Sequence, residues 1–205
     1  QLRLKEIAFD YPILKRIIKI GIPAGIQSTM YSVSNIVLQT RINTFGTNTI
    51  ASWAVYIKID ALYWMISGAF GSSITTFAGQ NYGAHFYQRV KDGLKTCLMM
   101  SLVSAAIISL LLWNFGNAIC HIFSTDPQII QECNQILHFL TPFYFTSCCV
   151  EIMSGIMRGC GDAFKPMLLV CFGVCVLRIL WVMFVSPFFT SFKMVIISYP
   201  ITWTV

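Results

Sequence analysis

Four ionisable side chains lie inside long apolar stretches of this 205-residue sequence: Lys58, Asp60, Glu151 and Arg178. A charge near the centre of a bilayer costs at least about 2.5–3.5 kcal/mol, so such a residue usually faces a partner or a water-filled cavity. The two positive and two negative charges sum to zero and allow complete pairing. We therefore expect Lys58 and Arg178 to be intramembrane charge partners of the two acids.

The expected depths of these residues indicate which of them can meet. At 1.5 Å of rise per residue, Asp60 lies about 18 Å and Arg178 about 12 Å below the outer surface, so these two can pair. Glu151 precedes Arg158 by seven residues, and no basic residue of another span is expected at its level. An acid without a partner in apolar surroundings can take up a proton or cation. We interpret Glu151 as a coupling carboxylate and Asp60 as the second candidate. An ion pair between Glu151 and Arg178 is the alternative.

Polar side chains recur at spacings of three or four in the first apolar stretch, which places them on one helix face. They are Gln27, Tyr31, Ser34 or Asn35, and Gln39. In a membrane such a face borders protein or water, and hydrogen bonding between helices is the alternative. We place Gln27, Tyr31 and Asn35 in a substrate cavity. The ring of Trp64 on the next helix would add an aromatic wall suited to a planar cation.

Membrane-spanning helices must position these residues. Only 11% of the residues are charged and 56% are hydrophobic, whereas a soluble domain is about 25% charged. This composition excludes the soluble, disordered and disulfide-scaffold classes. Since a spanning helix needs about 20 apolar residues, the apolar runs predict an all-α integral membrane bundle of six helices. Their approximate bounds are residues 20–42, 48–80, 93–119, 129–157, 166–189 and 194–205. The last would be only about 18 Å long, so it is predicted to be truncated.

The distribution of basic residues predicts the orientation. Ten of the 14 Lys and Arg residues lie at helix ends on one side of the predicted bundle, whereas Arg41 and Lys193 lie in loops on the other side. They are Arg3, Lys5, Lys15, Arg16, Lys19, Arg89, Lys91, Lys95, Arg158 and Lys165. The positive-inside rule makes this side, including the loops after the second and fourth helices, cytoplasmic. Because the basic residues sit in short caps rather than on one face, nucleic acid is not expected as a partner.

The eight cysteines and three histidines are not clustered at the short spacings of metal ligands. We therefore predict no metal site and no cofactor, and interpret the cysteines as small packing residues. No acid, base and nucleophile cluster in the sequence, so an enzyme is not expected. Pro23 in the first helix and Pro142 in the fourth each remove a backbone hydrogen bond. Each is predicted to be a hinge, with a plain kink as the alternative.

Three short motifs follow one another along the chain: residues 21–27 (GIPAGIQ), residues 79–84 (GQNYGA) and residues 158–162 (RGCGD) before Pro166. As an ordered set they resemble the carboxy-terminal lobe of MATE (multidrug and toxic compound extrusion) transporters, over nearly the whole chain. The resemblance implies one lobe of a two-lobe, 6+6 transporter. Residues 1–19 would then be the cytoplasmic interlobe linker, and residues 20–205 the lobe itself.

The resemblance also implies a function. MATE proteins exchange Na⁺ or H⁺ for organic cations and drugs by alternating access to a cavity between the lobes. The implied partners are small organic cations or drugs, membrane lipid and the amino-terminal lobe, in a monomer of the bacterial inner membrane. A related flippase for lipid-linked saccharides or polysaccharides is the first alternative. A non-transporting membrane fragment or subunit is the second.

The sequence departs from the family at the acids of its sodium-coupled branch. Alignment on the motifs puts Tyr31 and Ser147 at the positions of these acids, so the coupling ion stays open. Glu151 lies one turn beyond Ser147 and shares its helix face. We therefore add Ser147 to the expected substrate cavity.

Overall fold

The computed structural model describes residues 10–205, and these residues form a bundle of six helical segments. The first three segments are single helices, and each of the other three consists of two helices. The helices are α1 Tyr11–Ile42, α2 Thr47–Gly83, α3 Tyr87–Phe123, α4 Pro127–Leu140, α5 Tyr144–Gly159, α6 Phe164–Val170, α7 Leu177–Leu180, α8 Lys193–Ile196 and α9 Ser198–Thr204. The predicted all-α, six-segment architecture is confirmed.

The first helix begins before the predicted apolar run. Asp10 caps it by accepting a hydrogen bond from the backbone N–H of Ile13 at 3.1 Å. Pro12 occupies the first turn, where a missing N–H costs nothing. Residues 11–19, which the sequence places in the linker, therefore continue into α1, and residues 1–9 lie outside the described part of the chain. The helix runs through Pro23, which is buried.

The fourth segment is interrupted at Pro142, where the sequence predicts one helix over residues 129–157. A short 3₁₀ turn, Thr141–Phe143, separates α4 from α5. The interruption follows from proline, which has no backbone N–H to donate. At this turn the carbonyl of Thr141 accepts a hydrogen bond from the hydroxyl of Ser109 in α3, at 2.9 Å. The break expected at Pro142 is thus present, and its role as a hinge stays a prediction.

The fifth segment, Phe164–Phe188, contains wider helical turns than the sequence predicts. Two π-helical stretches, Cys171–Val176 and Trp181–Val185, flank the short helix α7. A π turn holds more residues than an α turn, so it changes the direction in which the following side chains point. Arg178 lies in α7, between the two stretches.

Helices α2 and α5 approach closely along a row of small residues. A Cβ atom at Gly155 would lie 2.8 Å from the carbonyl oxygen of Gly71, closer than real Cβ contacts allow. The hydroxyl of Thr75 donates to the carbonyls of both Gly71, at 2.7 Å, and Gly155, at 2.9 Å. Small residues let membrane helices pack backbone to backbone. We call this contact the α2–α5 seam; it consists of Gly71 and Thr75 with Gly155 and Gly159.

The exterior of the bundle is apolar. Large side chains such as Phe172 and Phe188 are exposed by 65% and 84%. Within the described residues, three stretches are long and apolar enough to cross a membrane: Tyr87–Phe123, Pro127–Gly159 and Phe164–Phe188. The chain is therefore a multi-pass membrane protein.

Candidate functional site

A cavity of about 680 Å³ opens between the first, second, fourth, fifth and sixth segments. Its volume lies in the range typical of small-molecule sites. Its lining combines aromatic rings with two acids and one guanidinium. The lining residues are Tyr31, Asn35, Leu38, Gln39, Trp53, Tyr56, Ile57, Asp60, Ala61, Trp64, Met65, Glu151, Arg178, Tyr199 and Trp203. We call this space the central cavity.

Asp60 is held in the cavity wall by two neutral donors. The hydroxyl of Tyr144 donates to its Oδ1 at 2.6 Å, and the indole N–H of Trp64 donates to its Oδ2 at 2.8 Å. Asp60 is only 9% exposed. Across residues 10–205, no basic nitrogen lies within 4.0 Å of its carboxylate. Asp60 is thus oriented by hydrogen bonds while its negative charge has no ion-pair partner in this part of the chain.

Tyr144 is itself fixed by a second layer of side chains. Its ring stacks on that of Tyr63, with centroids 3.9 Å apart and planes 7° apart. The hydroxyl of Tyr63 donates to the Tyr144 carbonyl at 2.8 Å and shares a 2.6 Å hydrogen bond with the hydroxyl of Ser147. Ser147 is buried, bonds Tyr63 and lies outside the cavity lining. Its place in the substrate cavity stays a prediction.

Arg178 is 2% exposed and stacks on an aromatic ring. Its guanidinium carbon lies 4.0 Å from the centroid of Tyr199. One terminal nitrogen donates to the hydroxyl of Thr202 at 3.1 Å, and the other makes a long 3.5 Å contact with the amide oxygen of Asn35. These contacts are all neutral, and the ring face stabilises the cation. Nε of Arg178 is buried and has no hydrogen-bond partner among the described residues.

Arg178 and Asp60 line the same cavity but do not form the predicted pair. Within the described residues, neither Asp60 nor Glu151 has a carboxylate oxygen within 4.0 Å of Arg178. Arg178 is directed at α1 and α9 instead, since its helix is flanked by π-helical turns. Its predicted role as the charge partner of an acid is therefore wrong.

Glu151 does have a cationic partner, contrary to the prediction that it is unpaired. The guanidinium of Arg158 reaches back along α5 and contacts Glu151 Oε1 at 3.1 Å. The side chains are 26% exposed for Glu151 and 17% for Arg158. The carboxylate packs on the α2–α5 seam, where a Cβ at Gly71 would lie 2.5 Å from Glu151 Oε1. The depths of the Cα atoms do not reveal this pair, because the long side chain of Arg158 spans the distance along the helix.

Lys58 points away from the central cavity. It is exposed, and its amine lies 5.9 Å from the ring centroid of Phe123 at the end of α3. Two residues along an α-helix correspond to about 200°, so Lys58 and Asp60 occupy opposite faces of α2. Its predicted role as an intramembrane partner of an acid is wrong for this geometric reason.

The polar stripe of α1 reaches the cavity over part of its length. Tyr31, Asn35 and Gln39 line the cavity, as does Trp64 of α2. Gln27 is buried in the bundle and lies outside the lining. Its place in the substrate cavity stays a prediction.

Sequence reasoning missed two parts of the site. Tyr144, which donates to Asp60, comes directly after the 3₁₀ turn that contains Pro142. This position is a weak signal, because the chain has eight tyrosines. Tyr199 and Trp203 come from the sixth segment and pack on each other with centroids 5.3 Å apart. Their spacing of one helical turn was the available signal, but it does not show which face meets the cavity.

The sequence is similar to a family of known proteins. The family profile MatE matches residues 23–200. Probable multidrug resistance protein YoeA of Bacillus subtilis (strain 168) is 22% identical over 170 residues, 83% of this chain and 37% of that protein. Probable multidrug resistance protein NorM of Thermotoga maritima is 22% identical over 179 residues, 87% of this chain and 39% of that protein.

A solved structure shares the architecture. The crystal structure of MATE in the straight conformation superimposes with a TM-score of 0.88 at 18% identity, covering 99% of this chain and 46% of that chain. The chain thus spans less than half the length of these relatives and has the fold of one six-helix lobe. Because the profile match extends over most of the sequence, the chain belongs to the MatE family of transporters.

Proposed function

We propose that this chain is the carboxy-terminal lobe of a secondary antiporter that exports organic cations and drugs in exchange for Na⁺ or H⁺. Alternating access would expose the central cavity to each side of the membrane in turn, and an amino-terminal lobe would close its other wall. The observation that carries the proposal is Asp60, a buried carboxylate on an aromatic cavity wall with only neutral donors around it.

Asp60 has the properties needed to bind a cation. A buried acid is costly unless it is compensated, and Tyr144 and Trp64 compensate it without cancelling its charge. A sodium ion, a proton or the cationic group of a drug would each neutralise it. Because one carboxylate can serve only one of these at a time, occupation by the coupling ion displaces the drug. The rings of Trp64 and Tyr56 would contact the planar part of the substrate.

Glu151 is the second proposed coupling acid. It also borders the cavity, but its charge is compensated by Arg158. Binding of an ion at Glu151 would have to compete with that ion pair. We therefore rank Asp60 first, and expect Glu151 to modulate coupling. The proposed transporter needs no cofactor other than its coupling ion and performs no enzymatic reaction.

The charges of the cavity favour a drug exporter over a lipid-linked saccharide flippase. Such headgroups carry phosphates, so their cavity would be expected to contain several free cationic groups. In the central cavity the single guanidinium, that of Arg178, stacks on Tyr199. The proposed location is the bacterial inner membrane, with the basic loops after the second and fourth segments in the cytoplasm.

The test is dye efflux from cells that express the full-length protein, with the sodium and proton gradients collapsed in separate experiments. Asp60→Asn should lower ion-driven efflux by more than about tenfold, since losing about 1.4 kcal/mol of ion or substrate binding has that effect. Glu151→Gln should have a smaller effect. The matched control is Lys58→Gln, two residues away on the opposite face, which should transport normally. Wild-type efflux in Asp60→Asn, at equal expression, would contradict the proposal.

A further inference from the structure

We propose that Cys120 of α3 and Cys133 of α4 are joined by a disulfide bond in the mature protein. The thiol of Cys120 donates to Cys133 Sγ with the two sulfur atoms only 2.9 Å apart. A covalent S–S bond is about 2.0 Å long, so a movement of about 0.9 Å would complete it. Among residues 10–205, this is the one hydrogen-bonding contact between two thiols.

The backbones around the two cysteines are already close. Gly116 lies one turn before Cys120, and a Cβ atom there would be 2.7 Å from the side-chain oxygen of Asn134, the residue after Cys133. The turn between the helices is short, since α3 ends at Phe123 and α4 begins at Pro127. Both cysteines are fully buried, at 0% exposure. The packing of α3 on α4 thus holds the two sulfur atoms close together.

The expected orientation supplies an oxidising environment. By the distribution of basic residues, the turn between α3 and α4 lies on the outer side of the membrane. Proteins exposed on that side form and keep disulfides, whereas cytoplasmic thiols are held reduced. Cys97 and Cys160 lie toward the opposite, basic ends of the helices and are expected to stay reduced.

The reaction is a thiol–disulfide exchange with an outer-face oxidoreductase that carries a disulfide of its own. One cysteine, as a thiolate, attacks the donor's disulfide and forms a mixed disulfide; the second then attacks the mixed bond. Two thiols become one S–S bond, and their two electrons and two protons convert the donor's disulfide into a dithiol. Because both sulfur atoms are inaccessible once α3 and α4 have packed, exchange must come before packing is complete.

Two-step labelling of the full-length protein tests the bond. Intact cells are quenched in denaturant that contains a first maleimide, which labels free thiols. Disulfides in the protein are then reduced, and the released thiols are labelled with a second maleimide of different mass. Mass spectrometry of the peptides identifies the label on each cysteine. Cys120 and Cys133 should carry the second label, and Cys97, Cys148 and Cys171 the first. In Cys120→Ser, Cys133 should change to the first label. The matched control, Cys171→Ser, should leave the labels on Cys120 and Cys133 unchanged.

Thermal unfolding in detergent gives a second measurement. After denaturation and refolding with a reductant, the wild type should unfold at a lower temperature, while the double variant Cys120→Ser, Cys133→Ser should not respond to the reductant. The first label on both Cys120 and Cys133 in the wild type would overturn the proposal. A second label on Cys133 that persists in Cys120→Ser would also overturn it, because it would show a different partner.

Discussion

Asp60 and Glu151 border the same cavity but are stabilised in opposite ways. Asp60 accepts hydrogen bonds from two neutral groups, at 2.6 and 2.8 Å. Glu151 contacts a guanidinium at 3.1 Å and rests on the α2–α5 seam. Neutral donors leave the charge of Asp60 available to a ligand, whereas Arg158 neutralises Glu151. The partners of an intramembrane acid, rather than its presence in an apolar run, therefore decide which chemistry it can perform.

The strongest test of this contrast removes a neutral donor from Asp60. Tyr144→Phe keeps the ring stacked on Tyr63 but deletes the hydroxyl. In a double-mutant cycle with Asp60→Asn, measured as free energy of unfolding in detergent, the coupling should be about 1.5–3 kcal/mol, the range for hydrogen bonds to charged groups. Tyr82→Phe, at an exposed tyrosine of α2, is the control and should show no coupling. A coupling near zero would mean that the hydroxyl does not support Asp60.

The seam beneath Glu151 should be intolerant of a single methyl group. Gly155→Ala places a Cβ atom 2.8 Å from the carbonyl oxygen of Gly71, and overpacking of this kind costs about 1–3 kcal/mol. Thermal unfolding measures the loss. At Gly173 a Cβ atom would meet nothing within 4 Å, so Gly173→Ala is the matched control. Equal stability of the two variants would show that α2 and α5 are not packed at this distance.

Removing the guanidinium of Arg158 should leave Glu151, like Asp60, without an ion-pair partner. Arg158→Gln leaves a partly buried carboxylate without its cation, and we expect a loss of about 1–2 kcal/mol, between the values for exposed and buried pairs. Adding Glu151→Gln should recover part of the loss, because it removes the unpaired charge. The exposed pair of Lys165 and Asp162, at 3.0 Å, provides the control Lys165→Gln, which should have a smaller effect than Arg158→Gln because solvent screens the pair. If the double variant is less stable than Arg158→Gln, the pair is not the source of the effect.

The smallest effect is expected at Lys58. Within the described residues, the one interaction of its amine is with the ring of Phe123. Lys58→Gln should therefore change the free energy of unfolding by less than about 0.5 kcal/mol, and dye efflux should match the wild type. A large loss of efflux would place Lys58 in the transport mechanism and weaken the contrast between the two faces of α2.

Much of the helix plan could be predicted from the sequence, and much of the site could not. The interruption at Pro142 follows from the chemistry of proline alone. The cavity face of α1 was predicted at Tyr31 and Asn35 because helical periodicity is local. Gln27 belongs to the same stripe but lies outside the lining, since which part of a stripe meets the cavity depends on the neighbouring helices. Ser147 bonds Tyr63 and lies outside the cavity lining, a contact that nothing in its own helix indicates.

Hydropathy and charge act residue by residue along the chain, so they are sufficient to predict a membrane bundle of six helical segments. They also show which ionisable residues must be accommodated within the apolar segments. The partners of these residues, in contrast, depend on how the helices pack. Arg178 is directed to Tyr199 by the π-helical turns around α7, and Glu151 is reached by Arg158 along its own helix. Side-chain reach, helix rotation and packing distance fix such pairs, and none of these is a local property of the sequence.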